Sequence, residues 1–119
     1  MESASVAVID DLVVCCRPVT AGVLDQRSAT RLAHAFRALG EPTRVRLLSL
    51  IAAHENGEAC VCELTEPVGL SQPTVSHHMK QLVEAGLVHR DQRGKWAYYC
   101  IDEDALAALA CVLQASPSP

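Results

Sequence analysis

Six cysteines fall in a chain of 119 residues, and four of them stand in close pairs: Cys15-Cys16 and Cys60-Val61-Cys62. Thiolate sulfur is a soft ligand, and two thiols held together select thiophilic ions such as As(III), Cd(II) or Pb(II) over Mg or Ca. Neighbouring Cα atoms lie about 3.8 Å apart, below the usual disulfide range, so Cys15 and Cys16 read as free thiols. Cys60 and Cys62 are two residues apart, and a regular helix would point them to nearly opposite sides. Either the helix begins irregularly and both sulfurs take one ion, or only one of them binds. A helix start would also lower a thiol pKa and favour thiolate. The candidate metal ligands are therefore Cys15, Cys16, Cys60 and Cys62. Cys100 and Cys111 stand alone and read as small buried hydrophobes.

A second constellation is polar. The run Leu70-Ser71-Gln72-Pro73-Thr74-Val75-Ser76-His77-His78-Met79-Lys80-Gln81-Leu82 opens on helix-starting residues and carries Val75, Met79 and Leu82 at i, i+4, i+7. Its other face offers Ser71, Gln72, Thr74, Ser76, His77 and Lys80. Short hydrogen-bonding groups with few acids suit base edges and phosphates. His78 lies nearer the apolar stripe and reads as a packing residue.

The formal net charge of −4 conceals a division. Residues 27–46 carry +4 and residues 71–96 carry +2, while 1–26, 47–70 and 97–119 carry −3, −4 and −3. The local footprint governs phosphate contact. No apolar stretch approaches a membrane span, and Met1-Glu2-Ser3-Ala4 lacks the basic start of a signal peptide. Paired cysteines without such a signal point to a reducing cytoplasm. No Arg stands six residues after any of the four paired cysteines, as an arsenate-reductase-like loop would need. No Cys-x-x-Cys occurs either, so the chain does not read as an enzyme.

The elements that must position these groups follow from periodicity and punctuation. Residues 1–26 read as an arm carrying a cysteine pair. Ser28 is expected to cap a helix to about Leu39, with Leu32, Ala35, Phe36 and Leu39 on its apolar stripe. Pro42 opens a second helix that buries Val45, Leu47, Leu48, Leu50 and Ile51. A short helix from Cys60 to Glu66 ends at Pro67 and Gly69, and the helix from Ser71 follows: a helix-turn-helix. Leu87–Asp91 and Lys95–Ile101 read as strands around Gln92-Arg93-Gly94, a hairpin wing. Asp102 caps a last helix with Leu106, Leu109 and Leu113 on one face. Residues 27–115 thus form one mainly α domain with a small β-hairpin, a winged helix-turn-helix, and residues 116–119 a disordered tail.

The segments Phe36-Arg37-Ala38-Leu39-Gly40-Glu41-Pro42-Thr43-Arg44-Val45-Arg46-Leu47-Leu48, Cys60-Val61-Cys62-Glu63-Leu64, Leu70 to Met79, Gly86-Leu87-Val88 and Tyr98-Tyr99 together resemble the ArsR/SmtB family of bacterial metal- and metalloid-responsive repressors. The resemblance spans about residues 28–114. It implies a homodimer with the first and last helices at the interface. It also implies an arm that reaches the partner subunit and repression that bound metal weakens. The adjacent arm cysteines look like those of arsenic sensors, in which the arm supplies two of three sulfurs. Thr65 stands where some arsenic repressors carry a further cysteine. The Asp/His site of zinc and nickel sensors is incomplete, because residues 102–113 hold no His.

The expected function is a metalloid-responsive repressor, bound to double-stranded operator DNA as a homodimer and released by As(III) or Sb(III). A Cd(II)- or Pb(II)-responsive repressor with four thiolates and a thiol-redox repressor are the alternatives. A cytosolic thiol enzyme or metal carrier is a rival of another class. The helix from Ser71 would lie in the major groove, with Gln72 bidentate to adenine and Ser71, Thr74, Ser76 and His77 reaching bases or phosphates. Lys80 would sit on a phosphate, and Arg93 and Lys95 on the flanking backbone or minor groove. Two such helices a DNA turn apart would read an imperfect inverted repeat.

Overall fold

A computed structural model describes residues 22–114. The expectations for the arm, with Cys15 and Cys16, and for the tail lie outside these residues. Five helices and a three-stranded antiparallel sheet follow in order: α1 (Gln26–Leu39), α2 (Pro42–Ala53), β1 (Glu58–Cys60), α3 (Val61–Val68), α4 (Gln72–Glu84), β2 (Val88–Arg93), β3 (Trp96–Ile101) and α5 (Glu103–Leu113).

Local chemistry explains most boundaries. Asp25, not Ser28, caps α1: its carboxylate accepts the Ser28 N–H at 2.7 Å, which holds that carboxyl below its usual range. Pro42 begins α2 as expected, and the Glu41 carboxylate accepts the Arg44 N–H at 3.1 Å. Gly69 ends α3 at φ +70°, a left-handed turn, and its N–H bonds the Thr65 carbonyl. Ser71 then caps α4 through the Thr74 N–H, so α3, this turn and α4 form the expected helix-turn-helix. Asp102 caps α5 through the Ala105 N–H at 2.9 Å.

The sheet differs from the expected two-stranded wing. A third strand, β1, precedes α3, and the order is β1-β3-β2. Cys60 lies opposite Tyr98, and Glu58 opposite Cys100. The hairpin tip is Gly94-Lys95, because Arg93 pairs with Trp96; Gly94 takes φ +64°.

The core gathers Leu47 and Ile51 of α2, Leu64 of α3, Val75, Met79 and Leu82 of α4, and Leu87 and Val88. The stripe expected on α4 is therefore buried, whereas Val45 of α2 is half exposed. On α5 the buried face is Ala105, Ala108, Leu109 and Val112; Leu106 lies at its edge and Leu113 is exposed.

Arg44 joins three helices. Its guanidinium donates to the Ala38 carbonyl at 2.6 Å and the Arg37 carbonyl at 3.3 Å, and meets His78 Nδ1 at 3.2 Å. It is thus a structural part of the basic segment 27–46, and His78 makes the packing contact expected of it. Charge-assisted hydrogen bonds each contribute about 1.5–3 kcal/mol. Arg44→Ala is expected to lower the unfolding free energy by about 2–3 kcal/mol in a urea titration. Arg44→Lys recovers only part of this, since an ammonium cannot span the same carbonyls as a fork.

Candidate metal centre and nucleic-acid interface

The sheet separates two kinds of chemistry. Side chains alternate along a strand, and directly opposed residues share a face. Glu58, Cys60, Tyr98, Cys100, Asp91 and His89 therefore lie on one face, and Ala59, Tyr99, Ala97 and Arg90 on the other.

On the first face stand the thiols. Cys60 ends β1 and is the N-cap of α3, with extended backbone at φ −76° and ψ 148°, while Cys62 lies inside the first turn. This resolves the spacing problem. The two residues are not both helical, and their sulfurs meet at 2.7 Å, with the Cys62 thiol donating to Cys60 Sγ. Cys60 is buried and Cys62 exposed. The Glu63 carboxylate fixes the junction by accepting the Cys60 N–H at 2.8 Å. A cleft of about 420 Å³ opens beside the pair, bordered by His54, Glu58, Glu63 and Tyr98.

The expected lowering of the thiol pKa is reversed at Cys62. Its hydrogen bond to Cys60 pushes it up first, and desolvation adds to this. A second negative sulfur beside the first is unfavourable unless a cation sits between them. This donor set fits a soft ion. Among the described residues no third His, Cys, Asp or Glu joins the two sulfurs. Cys100 is separate from the pair, with burial raising its pKa. Cys111, on α5, is only half-buried rather than fully buried as expected.

On the second face α4 and the wing enclose a groove of about 350 Å³, bordered by Gln72, Ser76, Lys80, Arg90, Lys95 and Trp96. Ser71, Gln72, Thr74, His77 and Lys80 are exposed along α4, with Ser76 half-buried between them. Four of the expected residues thus meet at one groove: Gln72, Ser76, Lys80 and Lys95. Arg90 and Trp96 join them and were not foreseen. Strand parity is the signal that finds Arg90, three residues before Arg93 and hence on the opposite side.

Arg93 departs from expectation. It projects to the thiol side, where its Nη1 and Nη2 donate to the two Glu58 carboxylate oxygens at 2.8 Å each. Its Nε donates to Asp91 at 2.8 Å, and its guanidinium lies 4.5 Å from the centre of the Tyr98 ring. The Arg93 fork also holds the Glu58 carboxyl below its usual range.

Comparison with known proteins agrees with this architecture. A family model described as bacterial regulatory protein, arsR family, matches residues 41–90. The chain is 37% identical over 98 residues to a putative arsenical resistance operon repressor of Halobacterium salinarum, covering 82% of this chain and 80% of that protein. The chain belongs to the ArsR family. It is accordingly a DNA-binding transcriptional repressor and not an enzyme.

Two solved structures extend the comparison. The homodimeric winged helix-turn-helix domain of a possible ArsR-family regulator from Mycobacterium bovis is 30% identical. Its TM-score is 0.62, covering 77% of this chain and 85% of that one. An antimony-specific transcriptional repressor is 27% identical at a TM-score of 0.62, covering 75% of this chain and 79% of that one. No described helix of this ArsR-family chain is long and apolar enough to cross a membrane.

Proposed function

We propose that this ArsR-family chain is a cytoplasmic repressor that grips an imperfect inverted repeat as a homodimer and lets go when As(III) or Sb(III) occupies its thiols. The observation that carries the reading is the convergence of the Cys60 and Cys62 sulfurs at the head of α3, the helix that supports α4. Cys60 and Cys62 would hold the metalloid, and Cys15 and Cys16 on the arm, residues 1–26, would complete its sulfur shell. A bound metalloid supplies a soft centre that takes thiolates in place of their protons.

The chain's own residues do the rest. Ser71, Gln72, Thr74, Ser76 and His77 present α4 to base edges and nearby phosphates, and Lys80 and Lys95 neutralise flanking phosphates. The domain from residue 27 to 115 pairs with its copy through α1 and α5, whose Phe36, Leu39 and Leu106 are only half-buried and whose Leu113 is exposed. The relatives named for arsenical resistance and for antimony favour a metalloid over Cd(II) or Pb(II) as the inducer.

Titrating the protein–operator complex with arsenite, antimonite, cadmium, lead and peroxide tests the reading. Dissociation by the two metalloids at the lowest concentrations is expected. Release by cadmium or lead alone would assign the site to a divalent cation, and release by peroxide alone to thiol oxidation.

A further inference from the structure

Arg93 makes more bonds inside the protein than any other wing cation. It grips both oxygens of Glu58, one of Asp91 and the face of Tyr98. Glu58 opens β1, the strand that ends at Cys60, and Tyr98 is the cross-strand partner of Cys60. Arg93 itself closes β2 opposite Trp96, at the tip of the wing. A single side chain therefore bolts the DNA-facing hairpin to the strand that carries a thiol.

The bolt has little to do with stability. Arg93 is exposed and Glu58 partly so, and ion pairs at such a surface are worth roughly 0–1 kcal/mol. What a bidentate fork with a third anchor and a ring beneath it supplies is orientation. Strand parity turns the Arg93 side chain away from α4, whose groove is lined instead by Arg90 and Lys95.

We infer that Arg93 is a positioning residue that couples the Cys60–Cys62 thiols to the wing through Glu58. The inference rests on those thiols being the inducer site. The two sulfurs lie 2.7 Å apart. An ion shared by Cys60 and Cys62 would take the place of the thiol proton between them, and so alter how the end of β1 meets the first turn of α3. Cys62 stands in the first turn of α3, and Cys60 in β1. A change at that junction would reach Glu58 along β1, and the fork would carry it into Arg93 and the hairpin tip. Such a link needs only a small differential free energy between two arrangements to be felt at the DNA.

The test uses the full-length dimer and the ratio of operator Kd with and without arsenite. Trp96, the sole tryptophan of the chain and the cross-strand partner of Arg93, serves as a DNA-free reporter of the wing. Wild-type protein is expected to show a ratio of about 30 or more and an arsenite-dependent change in Trp96 emission. Glu58→Gln keeps the shape of the side chain but loses the charge. Its expected ratio falls at least fivefold, with arsenite stoichiometry unchanged and the emission change reduced. Arg93→Lys keeps the charge and loses the fork, and is expected to lose the same coupling. The double variant should lose no more than either single one, because both act on one link. A large wild-type ratio retained in both single variants overturns the inference alone. No arsenite effect in the wild type overturns the reading of the thiols on which it stands.

Discussion

Cys62→Ser is expected to bind operator DNA within threefold of the wild type and to ignore arsenite. Cys62 is exposed at the start of α3 and faces away from the groove between α4 and the wing, so DNA contact survives its loss. A hydroxyl is a hard, poorly acidic ligand in place of a soft thiol, and one remaining sulfur of the pair cannot hold the ion. Coupling between two sites is commonly 5- to 150-fold in affinity. The arsenite-dependent change in operator Kd should fall from that range to about 1, read by anisotropy of a labelled repeat. Cys60→Ser should lose the response as well. Its fold should survive, because serine is a favoured N-cap residue and the Cys62 thiol remains as a partner for its oxygen.

Gln72→Ala is expected to cause the largest loss of DNA affinity. Gln72 is the first residue of α4 and is exposed at the rim of the groove, where a helix N-terminus enters a major groove. A bidentate amide–adenine pair contributes about 1–3 kcal/mol of discrimination. A homodimer makes the contact twice, so operator affinity should fall by about 30-fold or more, with little change on unrelated DNA. Lys80→Ala should behave differently. It weakens binding to all sequences alike and lowers the steepness of the salt dependence by about 0.9 per phosphate lost, or about 1.8 per dimer. A Gln72 variant that weakens all sequences equally would assign that residue to the backbone instead.

Local signals were strong where one helix decided its own fate. The stripe of Val75, Met79 and Leu82 packs as its spacing predicts, and Asp102 caps the last helix. The cap of α1, Asp25 in place of Ser28, is a local difference; the larger ones depended on a partner distant in sequence or on two faces competing. Strand β1 has three residues and exists because β3 pairs with it, which nothing in Glu58-Ala59-Cys60 announces. That extended segment is also what lets Cys60 and Cys62 converge. On α5 almost every residue is apolar, so two stripes compete. The small residues Ala105 and Ala108 face the core, and Leu113 is left outside. Arg93 is expected at DNA from its charge and its place on the wing, yet alternation along β2 turns it toward Glu58, and an acid already waits there. Parity along a strand was available in the sequence; the position of Glu58 across the sheet was not.

Equilibrium arsenite binding to the free repressor and to the repressor saturated with operator decides whether thiol occupancy and DNA binding compete. If thiol occupancy and DNA grip oppose each other, linkage requires the operator to weaken arsenite binding by the same factor by which arsenite weakens operator binding. A matching loss of about tenfold or more is expected in both directions. Equal arsenite affinity with and without operator would contradict it.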